Sequence, residues 1–151
     1  KVRINFWLYC NPFKEIIMTT LVGSCVCGEI TFSVEDRFVY AGYCHCSLCR
    51  KSSGAMGTAV GGVPREYFTI IKGDQHVKRF HRSKDTISCF CETCGSTLFG
   101  EKPSLNMVHV RYGALNTSPS LLPQAHMHVA SKAAWYEITD SLPQFDAFPS
   151  Q

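Results

Sequence analysis

Eight of the nine cysteines in this 151-residue chain lie in three short clusters, each of which could supply ligands to a metal ion. Thiolates bind zinc well, and the metal takes four protein ligands in structural sites and three in catalytic sites. The ninth cysteine, Cys10, lies outside the clusters, and we assign it no role. The clusters are Cys25-x-Cys27 followed by Gly28, Cys44-x-Cys46-x-x-Cys49 followed by Arg50, and Cys89 with Cys91-x-x-Cys94 followed by Gly95.

The spacing within the clusters suits a metal site. A C-x-x-C turn brings two sulfurs close enough to share an ion at Zn–S distances of about 2.3 Å. Its backbone N–H groups also point at the thiolates and spread their charge. A glycine directly after the second cysteine suits a positive φ angle. Gly28 and Gly95 stand at that position, whereas Arg50 follows the remaining cluster, and this difference predicts two kinds of site.

The number of ligands indicates how the cysteines divide. Cys44, Cys46 and Cys49 form a group of three with an open fourth position, which is typical of a catalytic zinc. The remaining pairs supply four thiolates, enough for a closed structural zinc that would stabilise the fold by joining distant segments. These four are Cys25, Cys27, Cys91 and Cys94.

Charge favours a thiol at the open position. Zinc with three thiolates carries a net negative charge, so it is a weak Lewis acid toward a carbonyl. It would still hold an incoming thiol, because a coordinated thiol is deprotonated. The further negative charge would require nearby cations, and Arg50 and Lys51 follow the third cysteine directly.

The same cysteines admit other arrangements. Cys46 and Cys49 could instead combine with Cys91 and Cys94 in an ordinary zinc ribbon. Cys89 could close the second site, because strand alternation places it on the same face as Cys91. The favoured role of Cys89 is nevertheless that of a small buried core residue.

Three histidines lie at positions where a ligand could stand. His45 lies between two cysteines, but in an extended segment its ring would point away from the metal, so it is predicted not to be a ligand. His126 and His128 are spaced as a ligand pair. A strand with one wet face explains them equally well, because no third ligand is adjacent in sequence.

Strands must position these residues, because short β-type segments dominate the chain. Apolar and polar residues alternate in "EITFSVE", and further strands are predicted in "FVYAGYC", "EYFTIIKG", "HVKRFHRS", "DTISCFC", "STLFGE" and "LNMVHVRYGAL". The glycines of "GTAVGGV" predict a bend. Ser47 is predicted to cap a short helix over Leu48 to Ser52, and four prolines leave the tail extended or looped. The fold class predicted is therefore mainly β with little helix.

Length and composition are those of one soluble globular domain, with 45% hydrophobic and 18% charged residues. Met18 opens "MTTLVGSCVCGEITF", so a single domain is predicted over residues 18–151, with residues 1–17 as an upstream arm. The net charge is only +3, and the longest basic cluster, "VKRFHR", is interpreted as the polar face of a strand. Both observations argue against binding of nucleic acid. No apolar run is long enough to cross a bilayer, so no membrane partner is predicted.

Cysteine usage indicates the compartment. An odd count argues against a complete set of disulfides, and residues 1–17 lack a convincing signal-peptide core and cleavage site. A reducing, cytoplasmic compartment is therefore predicted, where clustered cysteines are more often metal ligands or catalytic groups.

Five segments closely resemble the family of glutathione-dependent formaldehyde-activating enzymes and the related centromere protein V. They are "GSCVCGEITFSV", "YCHCSLCRKSSGA", "FCETCGSTLF", "VRYGALN" and "HMHVASKAAWYEITDSLPQFDAFP". The resemblance implies an Mss4-like fold, a β-tent built around zinc. It also implies two zinc ions per chain, one structural and one catalytic. The structural ion would be held by Cys25, Cys27, Cys91 and Cys94, and the catalytic ion by Cys44, Cys46 and Cys49.

The activity implied by the resemblance is that of S-(hydroxymethyl)glutathione synthase. The enzyme is called a carbon–sulfur lyase because the class is named for the reverse direction, in which the adduct is split. Its partner would be a small thiol, glutathione, which adds to formaldehyde. Arg111, Trp135 and Tyr136 are weaker candidates for the pocket, and packing or surface roles are favoured for each. Two alternatives remain: a zinc-stabilised binding module of the centromere protein V type, and an enzyme for another thiol or aldehyde. The oligomeric state is not indicated.

Overall fold

The computed structural model describes residues 19–149. In this range the chain forms eleven β-strands, one α-helix and five single-turn 3-10 helices, which confirms the predicted mainly β fold with little helix. The predicted arm at residues 1–17, including Cys10, lies outside the described residues. Among the described helices, none combines the length and the apolar character that crossing a membrane would need.

Each segment predicted as a strand contains one. Strands β1 and β11 were not anticipated, whereas a strand at β10 was one of two interpretations of His126 and His128. The strands are β1 (Thr20–Ser24), β2 (Thr31–Glu35), β3 (Tyr40–Cys44), β4 (Thr58–Pro64), β5 (Phe68–Lys72), β6 (Val77–Ser83), β7 (Thr86–Cys91), β8 (Thr97–Lys102), β9 (Met107–Arg111), β10 (His126–Met127) and β11 (Gln144–Phe145). The α-helix is α1 (Ser47–Ser53), and the 3-10 helices are Arg65–Tyr67, Asp74–His76, Pro103–Leu105, Tyr112–Ala114 and Val129–Ser131.

The strands form two sheets. The small sheet is antiparallel, in the order β1-β2-β5. The large sheet has the order β11-β10-β3-β4-β9-β8-β7-β6 and is antiparallel except around β10, which pairs in parallel with both β3 and β11. The proline-containing tail contributes these two short strands and the 3-10 helix Val129–Ser131, and otherwise runs as loops, as predicted.

The main hydrophobic core is formed by buried side chains from both the small and the large sheet. On β2, Phe32 and Val34 are completely buried, as the alternation in "EITFSVE" predicts. The Phe32 ring packs against Phe68 of β5 and Phe99 of β8, with ring centroids 5.2 and 6.2 Å apart. Full burial of one such side chain contributes about 1.5–3 kcal/mol. This packing fixes the small sheet against the large one and thereby sets the positions of the strand ends that carry the cysteines.

Strand β4 does not contain the bend that its glycines predict. It is continuous and pairs with β3 and β9 without any shift in register. A Cβ atom at Gly62 would lie 2.2 Å from the Tyr40 ring, and one at Gly61 would lie 2.6 Å from the Phe38 ring. The glycines therefore make room for aromatic side chains that lie across the strand.

Helix α1 begins one residue earlier than predicted, and its N-cap is Cys46 rather than Ser47. The Cys46 sulfur accepts a hydrogen bond from the backbone N–H of Cys49 at 3.3 Å, so a thiol occupies the place of the usual capping oxygen. The helix ends at Gly54, whose φ of 64° suits a glycine.

Candidate metal centres and the cavity between them

The first group of sulfurs joins two distant turns. Cys25 and Cys27 follow β1, whereas Cys91 ends β7 and Cys94 lies in the turn before β8. All four sulfurs lie within 4.8 Å of one another, and the spacings include 3.4 Å between Cys25 and Cys27 and 3.7 Å between Cys27 and Cys91. A tetrahedral zinc with Zn–S distances of about 2.3 Å would require sulfurs about 3.8 Å apart. The set could therefore hold a metal ion and leaves no position open.

Local backbone geometry places these sulfurs. The glycines that follow each pair have φ angles of 77° at Gly28 and 75° at Gly95, as the sequence predicts. The Gly28 N–H bonds to the Cys25 carbonyl and the Gly95 N–H to the Cys91 carbonyl, which closes each turn. The backbone N–H of Ile30 points at the Cys25 sulfur, 3.2 Å away. Each turn thus presents backbone donors and two thiols toward the same point.

The second group is formed by Cys44, Cys46 and Cys49, whose sulfurs also lie within 4.8 Å of one another. Cys44 ends β3, Cys46 caps α1, and Cys49 lies in the first turn of the helix. Cys44 and Cys49 are buried, and Cys46 is partly exposed. This set could hold a metal ion through three sulfurs, and among the described residues no fourth ligand joins it.

The three sulfurs affect one another's ionisation. Contacts with the sulfurs of Cys44 and Cys49 lower the pKa of Cys46, whereas contacts with Cys46 and Cys49 raise the pKa of Cys44. One thiolate therefore forms readily and shares its charge with its neighbours. Because further ionisation is opposed by the first charge, a bound cation is what would hold all three sulfurs as thiolates.

The first group behaves in a related way. The Ser96 hydroxyl and backbone lower the pKa of Cys94 to about 5. At Cys27 the backbone N–H of Glu29 lowers the pKa, but desolvation and the neighbouring sulfurs outweigh it and raise the pKa to about 12. Each group thus contains at least one thiol whose pKa is lowered and one whose pKa is raised, and a bound divalent cation would favour the thiolate form of every member.

The structure does not favour the alternative arrangements of cysteines. Cys46 and Cys49 are not grouped with Cys91 and Cys94, so the described residues form no zinc ribbon of that kind. Cys89 belongs to neither group; it is completely buried in the core, and burial raises its pKa to about 12.

Two of the three histidines form a buried contact with each other instead of joining the sulfur groups. His45 points away from the three-sulfur group, as predicted, and its Nε2 lies 2.8 Å from Nδ1 of His126. Nε2 of His126 contacts both carboxylate oxygens of Asp140 at 3.0 Å. His128 is half-buried and joins neither group. The His126–His128 pair is therefore not a pair of metal ligands within a described cluster, and sequence spacing gave no sign of the His45–His126 contact.

A cavity of about 350 Å³ lies between the two groups of sulfurs. Ser52, Ser53 and Thr58 line it from the side of the second group, and Cys94 to Thr97 from the side of the first. Arg111, at the end of β9, lines the cavity and points one terminal nitrogen at the Cys49 sulfur, 3.9 Å away. The guanidinium thus links the cavity to the second group.

Arg111 is the cation beside the three-cysteine group, a role that the sequence predicts for other residues. Packing or surface was its expected role, with Arg50 and Lys51 as the cations beside the cysteines, yet neither of these lines the cavity. Trp135 is 72% exposed, and Tyr136 stacks on His45 with centroids 5.7 Å apart. Only Arg111 among the three weaker candidates lines the cavity.

Comparison with known proteins identifies relatives for most of the chain. Residues 20–131 match the family model described as glutathione-dependent formaldehyde-activating enzyme. A protein of Halomonas elongata, named as a candidate glutathione-dependent formaldehyde-activating enzyme, is 29% identical over 78% of this chain and 80% of its own length. A protein of the same name from Aspergillus flavus is 26% identical over 83% of this chain, which spans 59% of that relative.

A solved structure supports the fold. The crystal structure of a Rhodobacter sphaeroides protein superposes with a TM-score of 0.55 and 22% identity, covering 68% of this chain and 97% of the other. The likeness confirms the fold class, and the family match covers well over half of the sequence. The chain belongs to the family of glutathione-dependent formaldehyde-activating enzymes.

Proposed function

We propose that this protein is a zinc-dependent carbon–sulfur lyase of the S-(hydroxymethyl)glutathione synthase type, which joins or splits glutathione and formaldehyde. One observation carries the proposal: three sulfurs, those of Cys44, Cys46 and Cys49, form a set of their own beside a complete set of four. The family match and the names of the relatives agree with this reaction.

The two groups have different roles in the proposal. Zinc held by the closed group would stabilise the fold, and zinc held by the three-cysteine group would keep an incoming thiol as its thiolate. The residues of the closed group are Cys25, Cys27, Cys91 and Cys94, and those of the open group are Cys44, Cys46 and Cys49.

The proposed reaction is an addition that needs no oxidant. The sulfur of glutathione forms a bond to the formaldehyde carbon, the carbonyl π bond breaks, and the thiol proton is transferred to the oxygen to give a hydroxymethyl thioether. Splitting is the reverse. The task of the chain is to hold the two small reactants together at one place, since positioning converts a bimolecular step into an effectively unimolecular one.

The surroundings of the open group suit this task. The Arg111 guanidinium lies beside the Cys49 sulfur and would offset the negative charge of three or four thiolates. The backbone N–H of Cys49 donates to the Cys46 sulfur and spreads the charge further. Cys44 and Cys49 are buried, whereas Cys46 is partly exposed.

A single domain over residues 18–151 in a reducing, cytoplasmic compartment is part of the proposal. Its support is that the eight described cysteines are all free thiols, which would be at risk of oxidation elsewhere.

The test is exchange spectroscopy on glutathione and formaldehyde with protein that carries two zinc ions. We expect micromolar protein to accelerate exchange between free glutathione and its adduct, and Cys46→Ala to abolish the acceleration. Unchanged exchange with both ions bound would contradict the proposal. One inert zinc without exchange would favour a binding module, and acceleration only with other thiols or aldehydes would point to a different substrate.

A further inference from the structure

Two groups in the walls of the cavity between the two sulfur groups can carry a charge, the Arg111 guanidinium and the Cys94 thiol, and Cys94 belongs to the first metal group. Besides Arg111, its lining contains the hydroxyl residues Ser52, Ser53, Thr58 and Ser96, and no carboxylate. A hydrogen bond from Thr97 Oγ1 to the Ser52 carbonyl, 3.1 Å long, joins two of the segments that line the cavity. At about 350 Å³ it is comparable to the smaller clefts that bind ligands, which range over ~300–1,000 Å³. Arg111 is thus the one cationic side chain among the residues that line the cavity.

The Arg111 side chain is buried, but not all of its N–H groups have hydrogen-bond partners. Its exposed fraction is only 8%, and its Nε has no hydrogen-bond partner. Among the described residues no carboxylate lies within ion-pair distance of it, and its one hydrogen bond runs from Nη1 to the Cys49 sulfur. Buried guanidinium groups are normally paired. The edge formed by Nε and Nη2 thus has no hydrogen-bond partner among the described residues.

A carboxylate is the group that fits this edge. Two parallel N–H donors match the two oxygens of a carboxylate, and such bidentate pairs are stronger and more directional than contacts to lysine. Because Nη1 of the same guanidinium reaches the Cys49 sulfur, a carboxylate bound at the other edge would belong to a molecule whose thiol can reach the three-cysteine group.

We propose that this cavity is a carboxylate subsite and that Arg111 selects thiols that carry a carboxylate over thiols that do not. The inference rests on the proposed function and adds to it the feature of the thiol that the protein recognises. Arg111 is a binding residue in this account, and the reacting atoms lie at the sulfurs.

The experiment compares glutathione with its diethyl ester, which keeps the thiol and loses both carboxylates. On zinc-loaded wild type we expect kcat/KM to be about 10- to 100-fold higher for glutathione, since hydrogen bonds to a charged group have that effect. Arg111→Gln should remove this difference, chiefly by raising KM for glutathione, and should leave the diethyl ester within about twofold. Lys84→Gln, which removes an exposed charge in the turn between β6 and β7, is the matched control and should change kcat/KM for neither thiol.

Two outcomes would overturn the inference. If Arg111→Gln lowers kcat/KM equally for glutathione and its diethyl ester, the guanidinium acts only on the three-cysteine group. If wild type has equal kcat/KM for the two thiols, the protein does not recognise a carboxylate. If Arg111→Gln does not fold with its zinc, Arg111→Lys takes its place; it keeps the charge without the fork, and we expect a smaller loss confined to glutathione.

Binding without turnover separates this inference from the proposed function. S-Methylglutathione has no free thiol, so calorimetry with it and with its diethyl ester measures carboxylate recognition alone. Binding of the acid to wild type but not to Arg111→Gln, with no turnover of any thiol, would defeat the proposed reaction and uphold the subsite. Equal binding of acid and ester, or binding of neither, would defeat the subsite even if turnover is found.

Discussion

A half-buried pair, Tyr40 and His109, lies on the face of the large sheet that also carries Cys44 and Arg111. Alternate residues of a strand point to the same face, and the register of β3, β4 and β9 places these four side chains together on one face. Oη of Tyr40 and Nε2 of His109 are 2.7 Å apart. Burial, together with the positive charges of Lys102 and Arg111, lowers the pKa of His109 to about 4. The imidazole is therefore neutral in the folded protein at any pH near 7.

This shift predicts a pH dependence of stability. An unfolded histidine titrates near pH 6.5, so between that pH and about 4 the unfolded chain binds a proton that the folded chain does not. The contribution of neutral His109 is fully present above pH 6.5 and is lost as the pH falls toward 4. Between pH 7.5 and 5, the free energy of unfolding should fall by about 2 kcal/mol more in wild type than in His109→Gln.

Urea unfolding of both proteins at the two pH values measures this difference. Protonation of the cysteines contributes in both proteins and cancels in the comparison. If the free energy of unfolding falls equally in wild type and in His109→Gln, the pKa of His109 is the same in the folded and the unfolded chain.

At this scale the close pairs of cysteines are what the sequence predicts best, because one short turn brings the two sulfurs of a pair together. Arg111 and His126 lie beyond such reasoning. They meet Cys49 and His45 across 62 and 81 residues, and the pairing of distant strands places them there.

At the scale of an element, helix α1 depends on a thiol for its start. Cys46→Ser keeps an oxygen that can accept from the Cys49 N–H, whereas Cys46→Ala removes the cap. We expect the serine variant to be more stable by about 1 kcal/mol, while both lose the same single metal ion. Thermal unfolding and metal analysis measure the two effects. A serine variant no more stable than the alanine variant would show that the sulfur does not act as a cap.

Strand β4 gives a second prediction at this scale. Gly62→Ala places a Cβ against the Tyr40 ring, 2.2 Å away, so the ring must move and the free energy of unfolding should fall by about 1–3 kcal/mol. Gly113→Ala is the control, because nothing lies within 4 Å of its Cβ position. Chemical denaturation of both variants provides the measurement, and equal effects would exclude the contact with Tyr40 as the cause.

The strands themselves could be predicted because alternation is local, but the role of these glycines could not. The residues that a glycine makes room for lie on neighbouring strands, so "GTAVGGV" predicts a bend where the structure has a continuous strand. The start of α1 was missed by one residue for a related reason: thiols are rare caps, and the sequence offers Ser47 directly beside Cys46.

At the scale of the whole molecule, the two sulfur groups connect different amounts of chain. The second group spans six residues, from the end of β3 into α1. The first joins the turn after β1, in the small sheet, to the turn between β7 and β8, in the large one. Sequence patterns do not give the order of strands in a sheet. The cysteine count favours a meeting of the two ends of this connection but leaves a zinc ribbon as an alternative, and the family resemblance implies the pairing.

This difference predicts how the protein responds to the loss of each group. Cys91→Ala removes one of four ligands and leaves Cys27 without the sulfur 3.7 Å away. Structural zinc contributes about 10–16 kcal/mol in small domains, as much as a typical domain's entire stability. We therefore expect Cys91→Ala to unfold, with loss of near-ultraviolet dichroism and of both metal ions.

Cys46→Ala should instead remain folded, because the group that it disrupts is local and the packing of Phe32, Phe68 and Phe99 does not involve it. We expect native dichroism, one metal ion per chain and no acceleration of thiol exchange. Metal content, dichroism and exchange measured side by side on the two variants decide the matter. Equal damage from both substitutions would mean that the two groups do not divide into one that holds the fold together and one that carries the chemistry.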